Sequence, residues 1–282
     1  KNKDNSDMFA PERSAIAIDI VRHVGDPIAI IIANTIEQAK NASELIDVDI
    51  EELPSVTSAS EAIKDDAPQV WHNSKNNTCF DWEMGEKEKV DEAFEVAERV
   101  VEIELINNRI VPNSMETRGA IASYDKESNK YELRCSSQGV HSIRDRVSEL
   151  LNIQAKDLRV ITTDVGGGFG MKLFNYPEYI CSLFASKKIG RPVKWISERT
   201  EAFLSDTHGR DHLTKAKMAL DKNGIFLGVK INTTANLGAY LSNFAIFIPT
   251  LAGTAMLAGC YKTPAIYVNV LGVFTNTPAI DA

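Results

Sequence analysis

The chain has 282 residues, of which 44% are hydrophobic and 25% charged, and a formal net charge of −8. That length suits one large domain or two ordinary ones, and the composition is that of a globular protein. The acidic balance, with no basic run and no aromatic-interleaved basic patch, argues against a nucleic-acid surface, and no apolar stretch is long and clean enough to span a bilayer.

The best spanning candidate, Phe244 to Leu257, is short and interrupted by Pro249 and Gly253. Lys1 to Asp7 are polar and charged, so no signal peptide is expected. Cys79, Cys135, Cys181 and Cys260 are scattered, with no C-x-x-C pair. Neither zinc nor an iron–sulfur cluster is expected in this chain, and reduced thiols in a cytoplasmic setting are the simplest account. The chain opens without Met and ends soon after an apolar run, Tyr267 to Phe274. Such ends suggest a piece of something longer, or a subunit continued by another chain.

In chain order, Ser14 to Ala33 reads as two strands around the turn triplet Gly25-Asp26-Pro27. Asn34 and Thr35, each with Glu37 or Gln38 three residues on, form overlapping capping boxes for a helix reaching about Leu45. Ile46, Val48 and Ile50 alternate with acidic residues, the pattern of a half-buried strand. Asn73 to Met84 is polar and reads as a linker. A short helix fits Lys89 to Ala97, and Val101, Ile103 and Leu105 alternate as a strand. Two further strands fit Ala120–Tyr124 and Tyr131–Cys135. A helix fits Val140 to Leu151, with Val140, Ile143, Val147, Leu150 and Leu151 on one face and Ser136 and Ser137 available as caps. Leu158–Ile161 is a short apolar run. A helix opened by Pro177 and closed by Gly190 comes next, then a strand over Pro192–Ile196. Asp221-Lys222-Asn223-Gly224 reads as the turn of a hairpin between Leu213–Leu220 and Ile225–Thr234. No repeat or low-complexity tract is present. Strands and helices are mixed rather than strictly alternating, so the fold class is α+β.

The most informative segment is Val165-Gly166-Gly167-Gly168-Phe169-Gly170-Met171-Lys172. Three consecutive glycines at a strand exit let the backbone come very close to something, most often a ligand with oxygen atoms held by backbone N–H groups. A dinucleotide fingerprint needs glycines at 166, 168 and 171, but position 171 is Met. A nucleotide-hydrolase phosphate loop needs Gly-Lys-Ser/Thr, but Lys172 lies between Met171 and Leu173. The bland reading is a tight packing turn.

Its neighbours resemble the large subunit of the molybdenum hydroxylases: xanthine dehydrogenase, aldehyde oxidase and the aerobic carbon monoxide dehydrogenases. The resemblance runs along most of the chain. It includes Val21-Arg22-His23-Val24-Gly25-Asp26-Pro27, Glu51-Glu52-Leu53-Pro54, and Asn108-Arg109 to Met115-Glu116-Thr117-Arg118-Gly119. Ser136-Ser137-Gln138 and Asp164 to Lys172 follow, then Tyr176-Pro177-Glu178, Gly190-Arg191-Pro192-Val193-Lys194 and Gly209-Arg210-Asp211-His212. Order and spacing together carry it, not any one segment.

The resemblance implies a partial α/β hammerhead-type domain over residues 1–74 and the first half of a molybdenum cofactor-binding region over 75–282. It implies a molybdenum–pyranopterin cofactor, water as the oxygen source, and electrons leaving through 2Fe-2S clusters to FAD. The partners it implies are the remaining large-subunit portion, an FAD medium subunit and a 2Fe-2S small subunit. Gln138 lies where the family's glutamine approaches the metal's oxygen, and Phe169 and Gly170 match the pair beside its apical oxygen. Gly167 and Gly168 complete the expected cofactor-binding set. No catalytic residue is expected here, because no segment matches the family's glutamate base, and no residue is expected to ligate a metal. Where some relatives carry a substrate-binding Glu, one position after Lys172, this chain has Leu173. That disfavours purines and leaves aldehydes, carbon monoxide or aromatic heterocycles open.

Other pairings point more weakly to chemistry. His208 and His212 have the i, i+4 spacing of a metal pair on a helix, but no third ligand is evident. Glu116 with Arg118, and Glu198 with Arg199 and Glu201, read as structural ion pairs or solvated faces. Lys172 could face an anionic cofactor or lie on the surface. Two rival functions stay open on sequence alone: a non-catalytic remnant or assembly subunit that only binds partner chains, and a nucleotide-binding protein using the Gly loop.

Overall fold

The computed structural model describes residues 1–281. In chain order its regular elements are α1 (Ile36–Ser43), α2 (Ala59–Ala62), β1 (Thr78–Gly85), α3 (Lys87–Glu95), β2 (Arg99–Asn107), β3 (Gly119–Asp125), β4 (Lys130–Cys135), α4 (Val140–Leu150), β5 (Leu158–Ile161), α5 (Pro177–Ile189), β6 (Val193–Ile196), α6 (Arg199–Ser205), β7 (His212–Leu220), β8 (Phe226–Asn236) and β9 (Ile266–Val273). Helices and two mixed sheets make this the α+β class expected. Contacts divide the chain into two units that interleave in sequence. The first comprises Lys1–Glu12, Ser55–Val111 and the chain from Thr207 on; the second comprises Arg13–Pro54 and Pro112–Asp206.

In the first unit, five strands lie in the order β1-β9-β8-β7-β2. Only β8 and β9 run parallel; the other neighbours are antiparallel. The core gathers Phe80, Leu237, Val268, Val270 and Phe274 from several strands and strand exits. The β7–β8 hairpin forms as the sequence predicts: Asp221 Oδ1 accepts from the N–H groups of Asn223 and Ile225, both at 2.8 Å. Gly224 takes the left-handed φ of +80°, which glycine adopts without a Cβ penalty.

The expected linker at Asn73–Met84 is instead core structure. β1 begins at Thr78, and Phe80 is fully buried. The polar residues that resemble a linker do internal work. The Asn77 side chain is buried; it accepts from Val70 N at 2.8 Å and donates to Ala62 O and Pro68 O at 3.0 and 2.9 Å. A fully bonded asparagine is a satisfied core group, and composition alone does not distinguish it from a solvated one.

In the second unit, four strands lie in the order β5-β4-β3-β6. β3 and β4 form an antiparallel hairpin, β6 pairs antiparallel with β3, and β5 runs parallel to β4 after the α4 crossover. Ala120, Ala122, Tyr131, Leu133 and Cys135 alternate along β3 and β4 as the buried face, the period of two that strands impose. α4 packs on β5 and α5 on β3. α5 starts with Pro177, whose missing N–H costs nothing in the first turn. It stops at Gly190, where φ is +67° and the N–H reaches Ser186 O at 2.9 Å.

Several local expectations change. α4 buries Ile143 and Val147, but Leu150 is 56% exposed. Its N-cap is Gly139 with no side-chain cap; Ser137 bonds Thr162 instead. The strands expected within 14–33 and 46–50 do not form. Ile46, Val48 and Ile50 keep their alternation but have no partner strand among the described residues and are exposed. A strand needs its backbone groups paired, so alternation alone does not make one. α1 forms with Thr35 as N-cap, accepting from Gln38 N at 3.3 Å. α6, not anticipated, carries a capping box in which Glu198 and Glu201 exchange bonds with the opposite backbone N–H groups.

Candidate functional site

The site lies wholly in the second unit, where the chain leaves β5 and turns toward α5. Within the glycine segment φ is +96° at Gly167, +52° at Phe169 and +85° at Gly170. Left-handed residues interspersed with ordinary ones are the backbone pattern of a concave nest of N–H groups, which suits anionic or oxo oxygens. The four consecutive N–H groups of residues 167–170 have no partner among the described residues. Phe169 pays for its place: a non-glycine residue in this region is strained by roughly 1 kcal/mol or more, and its ring is 70% exposed.

Both ends of the segment are fixed. At the entry, Gly166 N donates to Glu116 Oε2 at 2.8 Å, and Glu116 N donates back to Gly166 O at 3.0 Å. At the exit, Gln138 N donates to Lys172 O at 3.0 Å, and Lys172 N donates to Gln138 Oε1 at 3.1 Å. That second bond sets the amide's orientation: with Oε1 turned to Lys172 N, the Nε2 donors must face elsewhere. Glycine at 168 is required by this contact, since a Cβ there would lie 2.5 Å from Gln138 Cδ and Oε1. A Cβ at 166 would lie 2.5 Å from Glu116 Cβ.

The structure therefore brings Gln138, Gly167, Gly168, Phe169 and Gly170 together. Lys172 is not on the surface: its side chain is fully buried, and Nζ lies 2.7 Å from Glu116 Oε2. Burial opposes ionisation of Glu116, yet the Lys172 ammonium and the Gly166 N–H outweigh it and hold the carboxyl below its ordinary range. The Glu116–Lys172 pairing spans 56 residues, and no local pattern announces it.

Arg118 does not pair with Glu116. Its fully buried guanidinium forks onto Glu178 at 3.0 and 3.2 Å and bonds Asp206. Burial works against its charge, but Glu178 and Asp206 prevail and drive its pKa well above the usual value. The guanidinium stacks 3.5 Å from the Tyr176 ring centroid, and the Tyr176 hydroxyl donates to Met171 O at 2.8 Å. Arg118 thus supports the exit of the loop through a tyrosine. Arg199 bonds Asn113 Oδ1 and Met115 O rather than either glutamate. His208 and His212 do not share a helix. His208 is buried in an isolated bridge to Ile280, and His212 opens β7; both belong to the first unit.

Family models match over most of the chain: a molybdopterin cofactor-binding domain over residues 70–282, and the a/b hammerhead domain of aldehyde oxidase and xanthine dehydrogenase over residues 1–54. The chain is 32% identical over 264 residues to the carbon monoxide dehydrogenase large chain of Hydrogenophaga pseudoflava, covering 88% of this chain and 32% of that one. It is 30% identical over 263 residues to the nicotine 6-hydroxylase large subunit of Paenarthrobacter nicotinovorans, covering 93% and 32%. The crystal structure of quinoline 2-oxidoreductase from Pseudomonas putida 86 superposes with a TM-score of 0.89 at 30% identity, covering 96% of this chain and 34% of that one. The chain spans about a third of the length of the curated relatives it matches. By these family-model, sequence and structural matches the chain belongs to the large-subunit family of the molybdenum hydroxylases.

Proposed function

We propose that this chain holds part of a molybdenum–pyranopterin cofactor within a molybdenum hydroxylase, with Gln138, Gly167, Gly168, Phe169 and Gly170 as the holding residues. The observation that carries the reading is the row of four unpartnered N–H groups at 167–170, beside an amide whose donors face away from its own anchor. The donor set suits the group. Backbone N–H groups and a neutral amide stabilise anionic or oxo oxygens without bringing a mobile charge.

When bound, the cofactor supplies the redox centre for hydroxylation with water as the oxygen source. The protein's own contribution is orientation and electrostatics. The N–H groups of 167–170 donate to the group's oxygens. Gln138 Nε2 donates from the other side, its rotamer fixed by Lys172 N. The exposed Phe169 ring offers an apolar wall that excludes water from those bonds. Leu173 puts no carboxylate beside the loop, which favours an aldehyde, carbon monoxide or an aromatic heterocycle over a purine.

On this reading residues 1–74 are the hammerhead-type portion and residues 75–282 the first half of the cofactor-binding region. The base, the rest of the large subunit, an FAD subunit and a 2Fe-2S subunit come from elsewhere in a cytoplasmic assembly. Among the described residues no helix is long and apolar enough to cross a membrane. The isolated chain is accordingly expected to be inactive, and measurable turnover by the homogeneous chain would refute that. The test of the main reading is purification of the tagged chain from its native cells, with molybdenum assayed across sizing-column fractions. Molybdenum co-eluting with an assembly that contains this chain supports the reading; a chain in metal-free fractions alone overturns it.

A further inference from the structure

The Gly loop is strained and has two backbone bonds of its own at its exit, Met171 N to Gly168 O at 3.0 Å and Leu173 N to Gly170 O at 3.1 Å, so its entry depends on contacts from outside the segment. Three left-handed residues lie within four positions, and none of the N–H groups from 167 to 170 contributes a stabilising bond among the described residues. Beyond those bonds, the segment is held toward its two ends, and the two ends meet on one carboxylate. Glu116 Oε2 accepts from Gly166 N at 2.8 Å and from Lys172 Nζ at 2.7 Å. Lys172 has 0% side-chain exposure, whereas Glu116 has 43%, so the lysine is the inner and the glutamate the outer half of the clip. Lys172 also carries both main-chain bonds to Gln138.

We propose that Glu116 and Lys172 are positioning residues that close the Gly loop into a fixed ring, presetting the N–H nest and the Gln138 amide before any ligand arrives. The proposal rests on the reading that this loop holds the cofactor. Neither side chain needs to touch the ligand. Lys172 couples the two halves of the site, because its ammonium fixes the loop entry through Glu116 while its peptide group fixes Gln138. Without the ionic link the entry keeps one backbone bond, Glu116 N to Gly166 O, and a Gly166 N bond to a side chain no longer anchored by Lys172, and the loop is freer to sample the ordinary conformations that Phe169 now avoids.

Lys172→Met removes the ammonium while keeping a flexible apolar side chain in the buried site. Glu116→Gln keeps an acceptor for Gly166 N but removes the charge that Lys172 faces, at a half-exposed position that tolerates substitution. Hydrogen exchange is followed on the full chain in peptides spanning 164–174, with the β7–β8 hairpin as internal reference. Molybdenum per chain is measured on the assembly purified from native cells. Each single variant is expected to speed exchange at Gly166 and Lys172 about tenfold or more, leave the hairpin unchanged and lower molybdenum several-fold. The double variant is expected to be no worse than the poorer single one, because both remove one interaction. Wild-type exchange in both variants overturns the proposal, as does raised exchange with undiminished molybdenum. Losses that multiply in the double variant overturn it too, since independent structural damage behaves that way. Absence of molybdenum from the wild-type assembly instead overturns the cofactor reading, and the exchange rates still decide whether the clip sets the loop.

Discussion

Replacing Gly168 by alanine separates the stability of the fold from the integrity of the site. The backbone at 168 is not in the left-handed region, so alanine suffers no conformational penalty there. Its Cβ, however, would lie 2.5 Å from Gln138 Cδ and Oε1 and 2.7 Å from Cγ, about 1 Å inside ordinary contact. Gln138 is exposed and can swing aside, which breaks the 3.1 Å bond from Lys172 N. Losing that bond costs about 0.5–1.5 kcal/mol, while removing a glycine from the unfolded chain returns about 0.4–1 kcal/mol. The net change in stability is therefore within about 1 kcal/mol, a shift of about 2–4 °C or less in Tm for a domain of this size. The site fares worse, because the displaced amide no longer aims its Nε2 donors. Loss of one hydrogen bond to a charged group costs about 1.5–3 kcal/mol, enough for a drop of about tenfold to a hundredfold in cofactor affinity. Thermal denaturation of the chain and elemental analysis of the purified assembly give the two numbers. A Gly168→Ala assembly with wild-type molybdenum content would refute the assignment of Gln138 and Gly168 to cofactor holding.

Arg118→Met is expected to destabilise the chain by about 3–5 kcal/mol, because Glu178 and Asp206 are left facing an apolar site; a chemical-denaturation midpoint close to wild type would contradict this. Cysteine labelling should be selective in the native state. Burial pushes the Cys79 thiol up to about 12 and the Cys135 thiol up to about 11, whereas Cys260 is exposed. Alkylation at neutral pH therefore modifies Cys260 alone of these three, as peptide mass mapping will show. Glu116 has a depressed pKa in the folded state, so its contribution is fully present above its ordinary value of 4.5. It is lost as the pH falls through the lower folded value. The stability gap between wild type and Glu116→Gln should close on acidification below about pH 4.5; a gap that persists into strong acid would show that the carboxylate's charge is not what matters.

The fold was legible where a residue type carries its own geometric reason. Pro177 and Gly190 bracket α5 because one lacks an N–H and the other accepts positive φ. Asp221 and Gly224 make their turn through two side-chain bonds and one left-handed residue. Legibility failed where the deciding partner is distant in sequence. The polar run at Asn73–Met84 reads as a linker until Asn77 is seen bonded to residues 62, 68 and 70. The reverse error occurs at Ile46, Val48 and Ile50, where a correct alternation has no neighbouring strand to pair with among the described residues.

The site divides along the same line. Three glycines, a phenylalanine and a glutamine stood out because their spacing and resemblance gave them a chemical purpose. Glu116 and Lys172 did not, although their ion pair joins the two ends of the loop. A glutamate beside Arg118 in sequence invites pairing with it, yet Arg118, just before β3, is buried against Glu178 and Asp206, and Glu116 pairs with Lys172. Sequence proximity sets neither ion pair. Arg118 stacks on Tyr176, which holds Met171 O, and Glu116 holds both Gly166 and Lys172, so both pairs converge on the same eight-residue segment. With its own backbone bonds confined to the exit, the loop presents four free N–H groups with its neighbours holding the entry. The short Met-Glu-Thr-Arg sequence at 115–118 supplies both holds.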